Sequence, residues 1–176
     1  MIVLVGFMGA GKSTVGRLLA ERLGVSFADS DDVIEASVGL SIADIFEGYT
    51  EAGFRDLEAR VIAAQLAGAS GVLALGGGAV TTESVRVALA GHDVVLLDIS
   101  LTEALRRIGG DPSRPLLNRP DLAQIFAGRA QCYRDVATLT VAVAGRSPQQ
   151  IVEDVASALA EPDVVRLDPV APEAGE

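Results

Sequence analysis

The sequence predicts an α/β fold with a parallel sheet. Short apolar runs of strand length alternate along the chain with amphipathic segments of helical length. One helix joins the first two strands, and such a strand–helix–strand unit implies that the strands are parallel. Glycine-rich or acidic segments follow the first three predicted strands. Because ligands of parallel sheets bind at the carboxyl ends of the strands, we expect the functional site at that edge.

Local signals predict the order of the elements. Strands are predicted at residues 2–5, 25–29, 71–75, 93–99 and 138–143. Helices are predicted at about 12–23, 32–38, 51–67, 83–89 and 148–160. Two further helices begin at Ser41 and Ser100, because each serine precedes a carboxylate at the spacing of a capping box. Gly24 ends the first helix, and Pro148 suits the first position of the last one.

Length and composition indicate one globular domain. The chain has 176 residues, of which 49% are hydrophobic, and a formal net charge of −10. We expect a single domain over residues 1–161, followed by a disordered acidic tail at 162–176. The strong negative charge argues against nucleic acid or a membrane surface as a partner.

Cysteine content and the N-terminal run predict the compartment. Cys132 is the only cysteine, which excludes an internal disulfide and fits a reducing environment. The apolar run at the start is too short to span a membrane. We therefore expect a cytoplasmic protein, and we expect a monomer because no apolar stripe is left unexplained.

The segment after the first strand predicts a phosphate site. Its sequence, GFMGAGKS at residues 6–13, fits the pattern G-x-x-x-x-G-K-[ST] between a strand and a helix. Glycines let the backbone N–H groups approach an anion closely, and the helix adds the partial positive charge of its N-terminus. Lys12 would reach the β- and γ-phosphates of a nucleotide, and the Ser13 hydroxyl would ligate Mg²⁺. A turn without a ligand needs neither residue, and Lys12 is the only lysine in the chain.

Three aspartates follow the second strand, and two interpretations apply to them. As helix-capping and first-turn acids they would serve the next helix, which is the interpretation we prefer for Asp32. Asp29 and Asp31 are two residues apart, so an extended segment would direct both carboxylates to one side. Their position near the phosphate loop favours support of Mg²⁺ and contact with an acceptor hydroxyl.

Two further segments are candidates for the acceptor side of the site. Arg55 either pairs with Glu58 on the surface, which contributes little, or holds a substrate carboxylate by a two-pronged contact. Three consecutive glycines, Gly76 to Gly78, follow the third strand. They form either a permissive turn or a bare backbone surface for a ligand, and their place after a parallel strand favours the ligand.

An arginine-rich segment interrupts the otherwise acidic chain. Six arginines lie between residues 106 and 134, against two aspartates. The part from Gly109 to Leu117 contains glycine hinges and is typical of a mobile loop. We expect a lid at about 110–128 whose arginines stabilise a transferring phosphoryl group, in preference to a solvated basic face.

Taken together, these motifs resemble those of the shikimate kinase family. The resemblance covers residues 2–159. The matching motifs are GFMGAGKST at 6–14, DSD at 29–31, F-R-x-x-E at 54–58, GGG at 76–78, RPLL at 114–117 and R-x-x-x-Y at 129–133. The resemblance implies a three-layer αβα P-loop kinase with a mobile lid and a five-stranded parallel sheet in the order 2-3-1-4-5. It also implies Mg²⁺-dependent transfer of the γ-phosphoryl group of ATP to the 3-hydroxyl of shikimate, leaving ADP, in aromatic amino acid biosynthesis.

The resemblance also implies residue roles. The residues implied for ATP are Gly9, Ala10, Gly11, Lys12, Ser13, Thr14, Arg107, Arg114 and Arg146. The residues implied for shikimate are Asp31, Phe46, Phe54, Arg55, Gly76, Gly77, Gly78 and Arg129. Lys12, Asp31 and Arg114 would be catalytic, with Asp31 orienting or deprotonating the acceptor hydroxyl and Arg114 acting from the lid. Ser13 would ligate Mg²⁺ directly and Asp29 through water.

Within these sets the arginines have separate tasks. Arg107 and Arg146 would flank the adenine, whereas Arg55 and Arg129 would clamp the shikimate carboxylate. The chain has Arg129-Ala-Gln-Cys-Tyr133 where the family has a proline inside the motif, and the preceding segment is about one helical turn shorter. Arg134 is the alternative to Arg129. Arg119 has no assigned role.

Two other functions remain as alternatives. The chain could be a related kinase acting on gluconate, another polyhydroxy acid or a nucleoside monophosphate. It could also be a non-catalytic module that senses ATP or ADP. The set of Asp31, Arg55 and the glycines suits a small polyhydroxy acid, and a sensor would need no acceptor site.

Overall fold

The computed structural model describes residues 1–68, 70–109 and 120–160. Arg114 and Arg119 lie outside the described residues, as do the first ten residues of the predicted lid and the predicted acidic tail. Within the described ranges, no helix is long and apolar enough to cross a membrane.

The described strands form one five-stranded sheet in the order β2-β3-β1-β4-β5, and every neighbouring pair is parallel. The strands are β1 Ile2–Val5, β2 Ser26–Asp29, β3 Gly71–Ala74, β4 Asp93–Asp98 and β5 Leu139–Ala142. In the central strand, Leu4 lies opposite Ala74 on one side and Val95 on the other. The predicted fold class and strand order are confirmed.

Helices connect the strands and flank the sheet. The helices are α1 Lys12–Leu23, α2 Ser30–Val38, α3 Ile42–Gly48, α4 Glu51–Leu66, α5 Glu83–Ala88, α6 Leu101–Ile108, α7 Leu122–Val136 and α8 Pro148–Ala160. The capping boxes predicted at Ser41 and Ser100 are confirmed, since both side chains accept a hydrogen bond from the backbone N–H three residues on. Helix α7 was not predicted, and its first half occupies residues assigned to the lid.

The second helix begins earlier than predicted. Asp29, the last residue of β2, is the N-cap of α2, and its side chain accepts a hydrogen bond from the Asp31 N–H. The helix therefore starts at Ser30 instead of Asp32, and Asp31 lies in its first turn. The segment is therefore extended only as far as Asp29, so the condition under which the two carboxylates would point to one side is not met, although both residues lie at the carboxyl end of β2.

Two apolar clusters position the carboxyl edge of the sheet. The larger one surrounds β1 and β4, where Val3, Leu4 and Leu97 are fully buried. The smaller one joins α2, α3 and α4 through Ile34, Ile45 and Phe54. Because the smaller cluster lies beside β2 and β3, it fixes the helices that carry the acceptor-side candidates.

Candidate active site

The phosphate loop joins β1 to α1, and its backbone requires glycine. Gly6 has φ +142°, and a Cβ there would lie 2.6 Å from the Leu97 carbonyl oxygen. Gly11, the N-cap of α1, has φ +93°. Lys12 Nζ donates hydrogen bonds to the carbonyl oxygens of Gly6 at 2.8 Å and Phe7 at 3.2 Å. The ammonium group and the N-terminus of α1 therefore meet at one loop, as a phosphate site requires.

Ser13 and Asp29 bring oxygen ligands to the side of this loop. The Ser13 hydroxyl donates a hydrogen bond to Asp29 Oδ2 at 2.6 Å, while Oδ1 of the same carboxylate caps α2. In the described part of the chain, no group of three or more histidine, cysteine or acidic side chains could hold a metal. Mg²⁺ at phosphates is usually held by one or two protein oxygens together with phosphate and water, and this donor set fits it.

Asp31 lies between the phosphate loop and the glycines. Burial is the largest cause of the raised pKa of its carboxyl, the charge of Asp29 adds to it, and Lys12 opposes it. Its Oδ1 occupies space that only glycine leaves open, since a Cβ on Gly76 would lie 2.5 Å from it. A half-buried carboxylate with a raised pKa accepts a proton more readily than an exposed one.

Arg55 pairs with Glu58, but not on the surface. Arg55 Nη1 donates to Glu58 Oε2 at 2.5 Å, and the two side chains are 18% and 2% exposed. Burial raises the pKa of the Glu58 carboxyl, although Arg55 opposes the change. Of the two interpretations of Arg55, the exposed surface pair is excluded, because the pair is enclosed between α4 and the glycine loop.

The three glycines form a loop that is held from three elements. The Gly76 N–H donates to the Ser30 hydroxyl on α2 at 2.9 Å. The Gly77 carbonyl accepts from the Tyr133 hydroxyl on α7 at 2.5 Å. Gly78 lies against the Arg55 guanidinium of α4, which would clash with any Cβ there. We call residues 76–78 the triglycine loop.

Arg129 on α7 joins this group. Its charge interacts with Arg55, Glu58 and Tyr133, and burial lowers its pKa. Arg134, the alternative considered from sequence, is exposed and donates to Gln131 on its own helix at 3.2 Å. The geometry favours Arg129 as the second arginine of the acceptor side.

The two candidate aromatic walls differ in exposure. Phe54 is 2% exposed and belongs to the smaller core cluster, whereas Phe46 on α3 is 42% exposed. Their ring centroids are 4.3 Å apart. Phe54 also lies beneath the Arg55 guanidinium, at 5.2 Å from the ring centroid. An aromatic pair therefore borders the acceptor side beside Arg55.

Arg107 and Arg146 lie on the other side of the phosphate loop. Arg107 donates to the carbonyl oxygens of Val143 at 2.9 Å and Gly9 at 3.4 Å. Arg146 forms an ion pair with Asp154 on α8 and donates to a carbonyl of β5. Arg107 therefore links the phosphate loop to the segment after β5, and Arg146 lies in that segment.

Comparison with known proteins identifies the family. A family model described as shikimate kinase matches residues 8–160 of the chain. The chain belongs to the shikimate kinase family. The match begins at the third residue of the phosphate loop and ends with the last described helix.

Relatives and solved structures of the kinase agree with this assignment. A shikimate kinase of Mycobacterium tuberculosis is 51% identical over 164 residues, covering 91% of this chain and 93% of the relative. A shikimate kinase structure from Acinetobacter baumannii, in complex with shikimate, has a TM-score of 0.84 and 38% identity, covering 90% and 91% of the two chains. A gluconokinase from Sinorhizobium meliloti has a TM-score of 0.56 and 22% identity, with 90% of each chain covered, and shares only the fold.

The kinase fold brings most of the candidates into two groups. Asp31, Arg55, Arg129 and the triglycine loop surround one side of the phosphate loop, and Arg107 and Arg146 lie on the other. The roles of these residues stay predictions. Arg114, the predicted lid arginine, lies outside the described residues.

Sequence reasoning left three buried polar residues of the kinase without a role. Ser30 and Glu58 are 0% and 1% exposed, and Tyr133 is 4% exposed. Glu58 and Tyr133 stand at the ends of the motifs F-R-x-x-E and R-x-x-x-Y, so the signal was present. What the sequence could not provide was their burial, which depends on packing between α2, α4 and α7.

Proposed function

We propose that the chain transfers the γ-phosphoryl group of ATP to the 3-hydroxyl of shikimate, in aromatic amino acid biosynthesis. The observation that carries this proposal is the convergence of Asp31, Arg55 and the triglycine loop next to the phosphate loop. A carboxylate that can accept a hydroxyl proton lies there beside a guanidinium that can hold a carboxylate. That combination suits a hydroxy acid acceptor.

Arg55 and Arg129 would hold the acceptor carboxylate. A guanidinium has five donors in a planar fork, so Arg55 can keep its bond to Glu58 and still present donors to a second carboxylate. Because both arginines belong to well-packed helices, the acceptor would be held in one orientation. Holding the reacting groups in line is the main contribution a kinase makes to phosphoryl transfer.

Asp31 would receive the proton of the acceptor hydroxyl. The hydroxyl oxygen forms a bond to the γ-phosphorus, the bond to the bridging oxygen breaks, and ADP leaves. Burial raises the pKa of the Asp31 carboxyl, which favours holding this proton during transfer. Lys12 would balance the charge on the β- and γ-phosphates.

Ser13 would hold Mg²⁺ directly, and Asp29 would do so through water. The short bond between the Ser13 hydroxyl and Asp29 Oδ2 already places these oxygens together. The bound ion neutralises charge on the phosphates. On the far side, Arg107 and Arg146 would flank the adenine.

We further propose that the enzyme is a cytoplasmic monomer. The single cysteine and the absence of an unexplained apolar stripe in the sequence support this. Size-exclusion chromatography with light scattering at several protein concentrations checks the monomer. A mass twice that of one chain would contradict it.

One assay separates the candidate functions. ADP release is measured with shikimate, gluconate and a nucleoside monophosphate in parallel, each with ATP and Mg²⁺. We expect turnover with shikimate far above the other two. Turnover with gluconate alone would mean that gluconate, and not shikimate, is the acceptor. ATP binding without turnover on any acceptor would favour a nucleotide sensor.

A pair of variants on α1 tests the phosphate loop. Lys12→Ala should lose most of the turnover, at least about a hundredfold, because it removes the charge opposite the transferring phosphoryl group. Arg22→Ala is the matched control, since Arg22 lies on the same helix and pairs with Glu153 on the exposed side of the protein. Near-normal turnover of the Lys12 variant would contradict the assignment.

A further inference from the structure

Tyr133 makes a contact that no role assigned so far explains. It lies on α7 and is 4% exposed. Its hydroxyl donates to the Gly77 carbonyl at 2.5 Å, across a separation of 56 residues in sequence. A buried tyrosine hydroxyl needs a hydrogen-bond partner, and here that partner is a backbone carbonyl of the triglycine loop, so the bond ties α7 to this loop.

The same hydroxyl also lies near Arg129, one turn earlier on α7. Each of the two side chains shifts the pKa of the other electrostatically. A guanidinium can only donate, so the Tyr133 oxygen is free to accept from it while its own proton goes to Gly77. One hydroxyl therefore stands between Arg129 and the triglycine loop.

The hydrogen bond from Tyr133 to the Gly77 carbonyl also orients the neighbouring Gly78 N–H. The peptide unit is planar, so fixing the Gly77 carbonyl also fixes the direction of the Gly78 N–H on the opposite edge of that unit. Glycines have no side chains to hold this peptide, and their backbone has the widest conformational freedom. The neighbouring anchors, Ser30 at Gly76 and Arg55 at Gly78, act on other atoms of the loop.

We propose that Tyr133 is a positioning residue, which holds the Gly77–Gly78 peptide and the Arg129 guanidinium in one fixed relation on the acceptor side of the site. Through it, α7 and the triglycine loop form one binding surface. The inference rests on the proposed function, because it assigns the triglycine loop and Arg129 to the acceptor.

Tyr133→Phe tests this inference, because it removes only the hydroxyl. The loss leaves the buried Gly77 carbonyl without its donor and removes the oxygen beside Arg129, and we expect the KM for shikimate to rise about tenfold. The KM for ATP should stay within about twofold, since in the described part of the chain the Tyr133 hydroxyl bonds to the triglycine loop and to no residue predicted for ATP. Tyr49→Phe is the matched control, because Tyr49 is the other tyrosine of the chain and is 49% exposed.

The outcomes separate this inference from the proposed function. If the wild-type protein phosphorylates shikimate and Tyr133→Phe lowers only the melting temperature, Tyr133 is structural and the inference fails alone. An equal change in the KM for shikimate in Tyr133→Phe and Tyr49→Phe would overturn the inference as well. If the wild-type protein does not phosphorylate shikimate, the proposed function fails.

A spectroscopic measurement applies even if Tyr133→Phe does not fold. The chain has two tyrosines and no tryptophan, so Tyr49→Phe leaves Tyr133 as the only tyrosine. Its near-ultraviolet absorbance depends on the hydrogen bonds of the hydroxyl. We expect folded Tyr49→Phe to absorb at longer wavelength than its urea-unfolded form, and shikimate to leave this band in place, because the hydroxyl is already held. A band that matches the unfolded chain, or one that shifts when shikimate binds, would overturn the inference.

Discussion

Two arginine–glutamate pairs of the same spacing lie on different sides of the molecule. On α4, Arg55 donates to Glu58 at 2.5 Å, and on α6, Arg106 donates to Glu103 at 2.7 Å. Both pairs are three residues apart on one helix. They differ in their surroundings, because Arg55 is 18% exposed whereas Arg106 is 72% exposed.

The two glutamates respond in opposite directions. Hydrogen bonds from Arg106 and Arg107 lower the pKa of Glu103 to about 2. Burial raises the pKa of Glu58 in spite of its bond to Arg55. Residue spacing in an ion pair therefore does not decide the direction of the pKa shift. Glu103 has two arginine partners, whereas Glu58 has one and is removed from water, and a buried charge loses more hydration than one partner restores.

Under the proposed function, this difference would separate a binding surface from a solvated one. A buried guanidinium that donates to one carboxylate through Nη1 has further donors, and an incoming carboxylate would meet them with little competition from bulk water. The pair on α6 has no such advantage, since water reaches its arginine. Variants of both pairs test this comparison.

Among the variants of the two pairs, Glu58→Ala should destabilise the protein most. It leaves Arg55 buried without its closest counter-charge, and we expect the free energy of unfolding to fall by about 3 kcal/mol. Urea unfolding at neutral pH measures this change. Glu103→Ala is the control on α6 and should shift the midpoint far less. Equal shifts of the two variants would mean that burial does not separate the pairs.

Arg55→Ala should have the second largest effect on stability, and we expect it to lower the free energy of unfolding by about 2 kcal/mol at neutral pH. The loss should depend on pH, because Glu58 then remains buried with only the more distant Arg129 to offset it. Its pKa in the folded protein would rise further, so the folded state keeps a proton that the unfolded chain releases. The loss of stability relative to the wild type should therefore be smallest at acidic pH and grow as pH rises through the range in which Glu58 ionises.

The same variant should weaken acceptor binding. We expect the KM for shikimate to rise at least about tenfold and the KM for ATP to change little. Steady-state kinetics with each substrate varied in turn checks this. A change confined to the KM for ATP would refute Arg55 as a carboxylate clamp.

The different reliability of the sequence predictions has a physical cause. Strands, capping boxes and the phosphate loop depend on residues close in sequence, and these predictions were confirmed in the fold. Helix α7 was missed because its arginines suggested a loop, although Leu122, Phe126 and Tyr133 follow the spacing of one helix face.

Prediction of the site from the sequence was limited in the same way. The spacing of Arg55 and Glu58 indicated that they could pair, but their burial follows from the triglycine loop, which lies against both side chains. Residue spacing on one helix contains no information about the segments that pack against it. The roles of the lid arginines remain sequence predictions, because Arg114 lies outside the described residues.

Asp31→Asn should stabilise the protein while it removes activity. The raised pKa of Asp31 means that its charged form is disfavoured in the folded state, so a neutral side chain of the same shape should add about 1 kcal/mol at neutral pH. This advantage should shrink as pH falls, since Asp31 is then protonated in both states. Thermal melts over a pH series, together with the ADP assay, check both effects. A destabilised variant would show that the charge of Asp31 is needed for folding.

Arg106→Ala should have the smallest effect, because water already solvates the side chain that it removes. Glu103 keeps its hydrogen bond to Arg107 at 2.8 Å, so the contact of α6 with the phosphate loop through Arg107 remains. We expect the urea midpoint, the KM for shikimate and the KM for ATP to stay within experimental error of the wild type. A fall in the urea midpoint comparable to that of Arg55→Ala would show that exposed and buried ion pairs stabilise a helix equally. It would also remove the physical reason for assigning substrate binding to Arg55 because of its burial.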